Sequence, residues 1–278
     1  MITTHFSKLL NNRWGRIAGS GVLGYLLVCG VLYSIQKELI YYPESFLRED
    51  QIKAAQQFHG REFFDSQGEF CGWMIGSEQA QKTIVIFHGN AAPAVIRHYL
   101  AQLFQSNPLT ASCNILLFEY PGFGHREGTP SEPIIVQKAL LALDSIHHPV
   151  IVVGESLGTG VAAYVASERP QQVVGVLLIT PFNNMATTAD YHYPLLPTSL
   201  ILTERYPSDQ LLQKYSGKVA LMIAEKDQVI PAWIGEKLYD SIQSPKRKWI
   251  IPDADHNTIS HNPNEIWWKE SIDFLSQS

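Results

Sequence analysis

Val150-Ile151-Val152-Val153-Gly154-Glu155-Ser156-Leu157-Gly158 joins two patterns of opposite kind. Its first four residues form a β-branched run after Pro149, which predicts a strand buried on both faces. The alanine-rich stretch from Thr159 to Glu168, closed by Pro170, predicts a helix. Between them stands Gly-x-Ser-x-Gly. In that context the pentapeptide predicts a sharp strand-to-helix turn that leaves the Ser156 hydroxyl exposed at its tip, above the free N–H groups of a helix N-terminus. Gly154 and Gly158 are expected there because a Cβ at either position would strike neighbouring backbone.

A serine hydroxyl attacks a carbonyl only with a base in hydrogen-bond reach and a carboxylate to orient that base. For this kind of turn the acid and then the histidine follow the serine along the chain. Asp227 meets the first requirement, in Glu225-Lys226-Asp227-Gln228-Val229-Ile230-Pro231 after a predicted strand at 219–224. His256 meets the second, in Asp253-Ala254-Asp255-His256-Asn257 after a strand ending at Ile251. Glu225, Asp253 and Asp255 are competing carboxylates, and His261 is a competing base. The developing oxyanion needs two donors. The Leu157 amide is one, and the Asn90 amide in His88-Gly89-Asn90-Ala91, after a strand at 83–87, is the other. His88 is expected to tie that loop together by hydrogen bonds.

Taken in order, the chain opens a folded domain with a hairpin, Phe63-Phe64 and 70–75, and then alternates strand and helix. Strands are predicted at 83–87, 114–118, 150–153, 173–179, 219–224 and 248–251. Helices are predicted at 94–104, 133–146, 159–168, 231–242 and about 265–275. This rhythm predicts an α/β fold with a mostly parallel central sheet, helices on both faces, and ligands at the carboxyl ends of the strands. The proline- and tyrosine-rich stretch 181–215 breaks the rhythm. It reads as a small cap whose Tyr191, Tyr193, Leu195 and Leu196 line an acyl pocket, or as a structural insertion.

From Ile17 to Ile35 no residue is charged, a length of about nineteen residues that crosses a bilayer as a helix. Arg13 and Arg16 precede it, which places the tail 1–16 in the cytoplasm and the folded domain on the other side. No A-x-A-like cleavage pattern follows it, so an uncleaved anchor is expected rather than a removed signal. Residues 36–58 read as a linker, with Tyr41-Tyr42-Pro43 either at headgroup level or packed on the domain, and 59–278 as the domain that carries the cap.

A formal net charge of −5 and the lack of any basic run exclude a nucleic-acid footprint. Cys29, Cys71 and Cys113 fit neither a metal spacing nor a disulfide framework, so Cys71 and Cys113 are expected as buried thiols. No metal or cofactor is expected.

Together, His88-Gly89-Asn90-Ala91, Tyr120-Pro121-Gly122-Phe123-Gly124 with Gly128-Thr129-Pro130, Gly154-Glu155-Ser156-Leu157-Gly158, Asp227 with Ile230-Pro231, and His256 resemble the α/β-hydrolase superfamily. The resemblance is closer to its membrane-anchored branch of α/β-hydrolase domain-containing proteins, which includes bacterial relatives and eukaryotic depalmitoylase-like enzymes. Members often carry Asp-Tyr-Arg-Gly where this chain has Glu119-Tyr120-Pro121-Gly122, a serine at Arg126, and glycines at Ala224 and Asp253. The resemblance implies a serine hydrolase acting on carboxylic esters or thioesters of acyl or lipid substrates. A peptidase or amidase with the same three residues, and a non-catalytic binding protein on this fold, are the alternatives.

Overall fold

The computed structural model describes residues 13–77 and 79–277. Most of the tail expected at 1–16 lies outside the described residues. The hairpin forms as predicted, from β1 (Arg61–Phe64) and β2 (Phe70–Ile75), turned at Asp65, whose Oδ1 accepts the Gln67 and Glu69 amides. Six further strands follow: β3 (Thr83–Phe87), β4 (Asn114–Phe118), β5 (Val150–Glu155), β6 (Val173–Ile179), β7 (Lys218–Ala224) and β8 (Lys246–Ile251). They form one sheet in the order β1-β2-β4-β3-β5-β6-β7-β8, with β1 and β2 antiparallel to their neighbours and the six others parallel.

Alternation along each strand divides the core between two faces. Val85, Leu116 and Val152 face one layer, made of α4 (Glu132–Asp144), α5 (Leu157–Glu168), α8 (Ser208–Leu212) and α9 (Ala232–Ser241). Ile84, Ile115 and Ile151 face the other, where α3 (His98–Gln105) and α10 (Ile266–Ser276) pack. The helix expected at 94–104 begins as a 3₁₀ turn, Ala94–Arg97, after Pro93. In the stretch 181–215, α6 (Met185–His192) and α7 (Thr198–Ile201) form the cap, whereas α8 returns to the core with Leu212 buried against α5. All three cysteines are buried and free.

Residues 36–58 do not behave as a linker. The first helix, α1 (Arg13–Ile40), runs past the expected end at Ile35, since nothing there breaks it before Pro43. Tyr42 pairs with Ala91 and Ser45 with Gly124 as isolated bridges. α2 (Arg48–Gln56), unmarked by any apolar stripe, buries Gln51 and Ala55 beside β1. At the end of α1 the Tyr41 hydroxyl donates to Glu204 and lies 2.8 Å from that of Tyr206. Glu204 also accepts the Glu132 amide at 2.5 Å. The C-terminal end of α1 is therefore fastened to the base of the cap through a buried polar cluster.

One turn earlier, Gln36 is a polar side chain that α1 buries, and all of its amide is used. Its Nε2 donates to the Tyr33 and Ile201 carbonyls (2.7 and 3.1 Å), and its Oε1 accepts from the Thr203 amide (2.6 Å) and hydroxyl (3.0 Å). Gln36→Leu strands a buried N–H and a carbonyl at that joint, at a cost of about 2 kcal/mol. In full-length protein in detergent, Tm is expected to fall by roughly 4–8 °C. An unchanged Tm would show that the joint contributes nothing.

Candidate active site

The turn after β5 is built by exclusion. Ser156 sits at φ +52°, ψ −115°, a left-handed backbone that a side-chain-bearing residue adopts only where the surroundings force it. The force is visible on either side. A Cβ on Gly154 would stand 2.4 Å from the Gly158 carbonyl oxygen, and one on Gly158 would stand 2.1 Å from the Phe87 carbonyl oxygen. The Ser156 amide donates to Ile179 O (2.9 Å), which ties the tip to β6. Helix α5 starts at once at Leu157, two residues earlier than the sequence pattern predicts.

The loop after β7 brings Asp227 to the same rim, almost fully buried. Its Oδ1 accepts the Val229 and Ile230 amides at 2.8 and 2.7 Å, and its Oδ2 stands 2.7 Å from His256 Nδ1. His256 Nε2 is 2.9 Å from Ser156 Oγ. The three residues expected to act together thus form one continuous hydrogen-bonded chain. The competitors are occupied elsewhere. Glu225 accepts the Asp253 amide (3.0 Å), and Asp255 accepts that of Asn257 (2.9 Å). Exposed Asp253 pairs with Lys226 at 2.5 Å, which holds its carboxyl below the usual range. His261 stacks on Tyr99 with ring centroids 4.3 Å apart.

Asn90 and Leu157 both line the cavity above Ser156. Among the described hydrogen bonds neither backbone N–H has an acceptor, so both are free to donate. Asn90 is held from the end of α1: its Nδ2 donates to Ile40 O (3.1 Å) and its carbonyl accepts the Tyr42 amide (2.9 Å). His88 closes the loop as expected, with Nδ1 2.7 Å from Gly89 O and its carbonyl accepting the Tyr120 hydroxyl at 2.7 Å.

The departures from the family pattern find structural reasons. Buried Glu119 accepts the Ala94 amide on both oxygens (3.0 and 3.1 Å), and Arg126 donates to the Glu119 carbonyl while its guanidinium lies over the Phe118 ring. Both residues build the wall behind the site and neither reaches the cavity. Asp253 takes φ +58°, a conformation that glycine adopts freely and that aspartate tolerates better than most residues.

The cavity above Ser156 has a volume of about 530 Å³ and mostly apolar walls. Tyr193 and Leu196 line it as expected. Tyr191 and Leu195 do not: Tyr191 lies on the outward side of α6, and Leu195 is exposed in the turn that begins at Pro194. In their place α6 contributes Met185, Thr188, Ala189 and His192, the i, i+3, i+4, i+7 face of that helix, a periodicity present in the sequence but masked by its small polar residues. The opposite wall comes from α1: Leu32, Gln36, Leu39 and Ile40. A second cavity of about 150 Å³, lined by polar groups, adjoins His256. There Arg97 pairs with Glu155 (2.7 Å), Tyr99 donates to Glu155 (3.2 Å), and burial lowers the His261 pKa so that its ring is neutral at pH 7.

This sheet order, turn and hydrogen-bonded chain define the α/β-hydrolase fold, and the model of that fold matches residues 82–201. Within that class the chain is similar to the membrane-anchored α/β-hydrolase domain-containing proteins. An uncharacterised protein of Mycobacterium tuberculosis is 27% identical over 87% of this chain and 85% of its own length. Human ABHD12B is 28% identical over 77% of this chain and 66% of its own length. Among solved structures, a membrane phospholipase A described as a bacterial virulence factor shares the fold, with a TM-score of 0.63 and 16% identity over 95% of this chain and 99% of its own. The helix Gly19–Ile40 is long and apolar enough to cross a membrane.

Proposed function

We propose that the chain is a membrane-anchored serine hydrolase that cleaves carboxylic esters or thioesters of acyl or lipid substrates through an acyl-serine intermediate. The observation that carries this reading is the Asp227–His256–Ser156 chain set at the floor of a large apolar cavity. His256 Nε2 takes the Ser156 proton as Oγ attacks the carbonyl carbon, and the Asn90 and Leu157 amides receive the negative charge on the carbonyl oxygen. Asp227, fixed by two amides, holds the imidazole with Nδ1 protonated and stabilises it when charged. Collapse of the tetrahedral species expels the alcohol or thiol, which leaves with the proton from His256. Water, deprotonated by the same nitrogen, then attacks the acyl ester and releases the acid.

The two cavities divide the substrate. The apolar one accepts an acyl chain, and its volume lies in the usual range for small-molecule sites. The polar one, beside the residue that protonates the leaving group, suits a hydroxylated or charged alcohol better than a second chain. Anchoring by α1, with the folded domain on the non-cytoplasmic side, puts lipid esters within reach.

The test is a series of p-nitrophenyl esters of rising acyl length, run alongside the matching anilides with full-length protein in detergent. A rise of kcat/KM of about tenfold or more from acetyl to medium chains is expected, with the anilides far slower. Equal turnover of anilides would favour an amidase. No turnover of any member, with Ser156 unlabelled by a fluorophosphonate, would favour a binding protein.

A further inference from the structure

The cap carries an apolar surface that the cavity does not use. Leu195 is 85% exposed and Leu200 79%, and Tyr191 beside them is about half exposed. Over 193–202, Tyr-Pro-Leu-Leu-Pro-Thr-Ser-Leu-Ile-Leu, no side chain is charged. Large apolar side chains left outside on an uncharged segment mark a contact surface.

Its position identifies what the contact is. The segment lies along α1: the Tyr25 hydroxyl donates to Leu195 O (2.8 Å), and Gln36 donates to Ile201 O (3.1 Å). Eleven residues of helix separate those two contacts, roughly 16 Å along its axis. Over that length α1 turns Leu26, Leu27, Val28 and Val31 outward, and only 11% of its most apolar window is buried in the protein. Leu195 and Leu200 therefore extend the apolar surface of the anchor itself. Most of the segment's backbone donors are satisfied internally, as suits a medium without water, where unpaired polar groups are costly. Pro194 and Pro197 have no N–H. The amides of Tyr193, Leu196, Thr198, Leu200 and Leu202 donate within the cap, and Tyr25 supplies a donor to Leu195 O.

We propose that the tip of the cap, residues 193–202, is immersed in the leaflet that holds the C-terminal half of α1, so that the acyl cavity opens to hydrocarbon and takes its chain sideways from the bilayer. This inference rests on the anchoring proposed for α1. The cavity lies in the seam between the two immersed elements, with Leu32 and Leu39 on one side and Leu196, Ile201 and Leu202 on the other. An acyl chain entering there passes from lipid to protein without crossing water. Its ester stops at Ser156.

The experiment uses full-length protein in phosphatidylcholine vesicles, with a nitroxide attached at Leu195→Cys, at Leu200→Cys, or at Asp273→Cys as an exposed reference on α10. The native thiols are buried. Relaxation by oxygen, which concentrates in hydrocarbon, is compared with relaxation by a water-soluble nickel chelate. The Leu195 and Leu200 labels are expected to favour oxygen over nickel at least about fivefold more than the Asp273 label does. Labels as open to nickel as Asp273, on protein that sediments with the vesicles, would overturn the immersed cap; protein that leaves the vesicles would overturn the anchor. As a second measurement, Leu195→Glu with Leu200→Glu is expected to slow hydrolysis of a long-chain ester embedded in vesicles about tenfold or more, with hydrolysis of p-nitrophenyl acetate unchanged. Equal rates on the embedded ester would also overturn the proposal.

Discussion

Full-length chain carrying Ser156→Ala is expected to lose ester hydrolysis by about six powers of ten, to the assay background, and to lose fluorophosphonate labelling. The expectation follows from what the substitution leaves in place. His256 keeps Asp227 at 2.7 Å, and the Asn90 and Leu157 amides still line the cavity. Only the oxygen 2.9 Å from His256 Nε2 is gone, and with it the group that forms the acyl bond. The fold is expected to persist, because the bonds that hold the tip are main-chain: Ser156 N to Ile179 O, and Thr159 N to Ser156 O. Alanine meets the same backbone strain at φ +52° as serine does, so Tm moves little. Ser156→Gly removes that strain, worth about 1 kcal/mol, and is expected to raise Tm by roughly 2–4 °C while activity is lost equally. A glycine variant less stable than the parent would show that the turn is not strained. Hydrolysis within tenfold of the parent in either variant would remove Ser156 from the chemistry.

Much of this site was legible because its parts lie at strand ends, where short local patterns carry position. A β-branched run followed by Gly-x-Ser-x-Gly marks both where β5 ends and which side chain is exposed there. Asp227 and His256 each follow a recognisable strand, so one rule about parallel sheets brings both to the rim. The cavity wall was not legible in the same way. Tyr191 and Leu195 look like pocket residues by composition, but Tyr191 falls off the cavity-facing row of α6, whose small polar residues mask its period, and the direction of Leu195 depends on the bend at Pro194, which no periodic pattern records. The contribution of α1 was hidden for a different reason. A run without charges satisfies the needs of a bilayer and of a pocket wall alike, so Leu32 reads as lipid-facing, while Leu39 and Ile40 fall in the stretch read as a linker. Gln36 was the available signal: an amide on such a helix is costly unless its partners are fixed, and here all but the Tyr33 carbonyl come from Ile201 and Thr203 at the cap. α2 escaped because its contacts are made by Gln51 and Ala55, too few and too polar to leave an apolar stripe.

Those contacts join anchor and chemistry. Ile40 O and the Tyr42 amide hold Asn90, one of the two proposed oxyanion donors, from the C-terminal end of α1. A chain begun at Glu44 lacks both, and lacks the cavity wall. Short-ester hydrolysis by such a fragment measures a damaged site rather than an unanchored enzyme.

The strongest test of how the fold makes the site is Gly158→Ala, a single methyl group placed outside the hydrogen-bonded chain. Its Cβ would lie 2.1 Å from the Phe87 carbonyl oxygen and 2.8 Å from that of His88. Both are backbone atoms at the end of β3 and the start of the loop that carries Asn90, so no side-chain rotation relieves the overlap. Either α5 moves away from the sheet or β3 is displaced, and both are central elements with fully buried partners on each side. Overpacking of a rigid core costs about 3 kcal/mol when backbone must shift, and Tm is expected to fall by roughly 6–12 °C. The surviving folded fraction is expected to show reduced kcat with little change in KM, because a shift of α5 against the loop separates the Leu157 and Asn90 amides from one oxyanion position while the acyl cavity remains. Loss of one such donor costs two to three powers of ten. Gly89→Ala is the matched control: its Cβ meets nothing closer than 3.6 Å, and its backbone is not left-handed, so the same methyl group in the same loop is expected to leave Tm within about 2 °C. If Gly158→Ala were as stable as Gly89→Ala and as active as the parent, close approach of α5 to the end of β3 would not be what positions the donors.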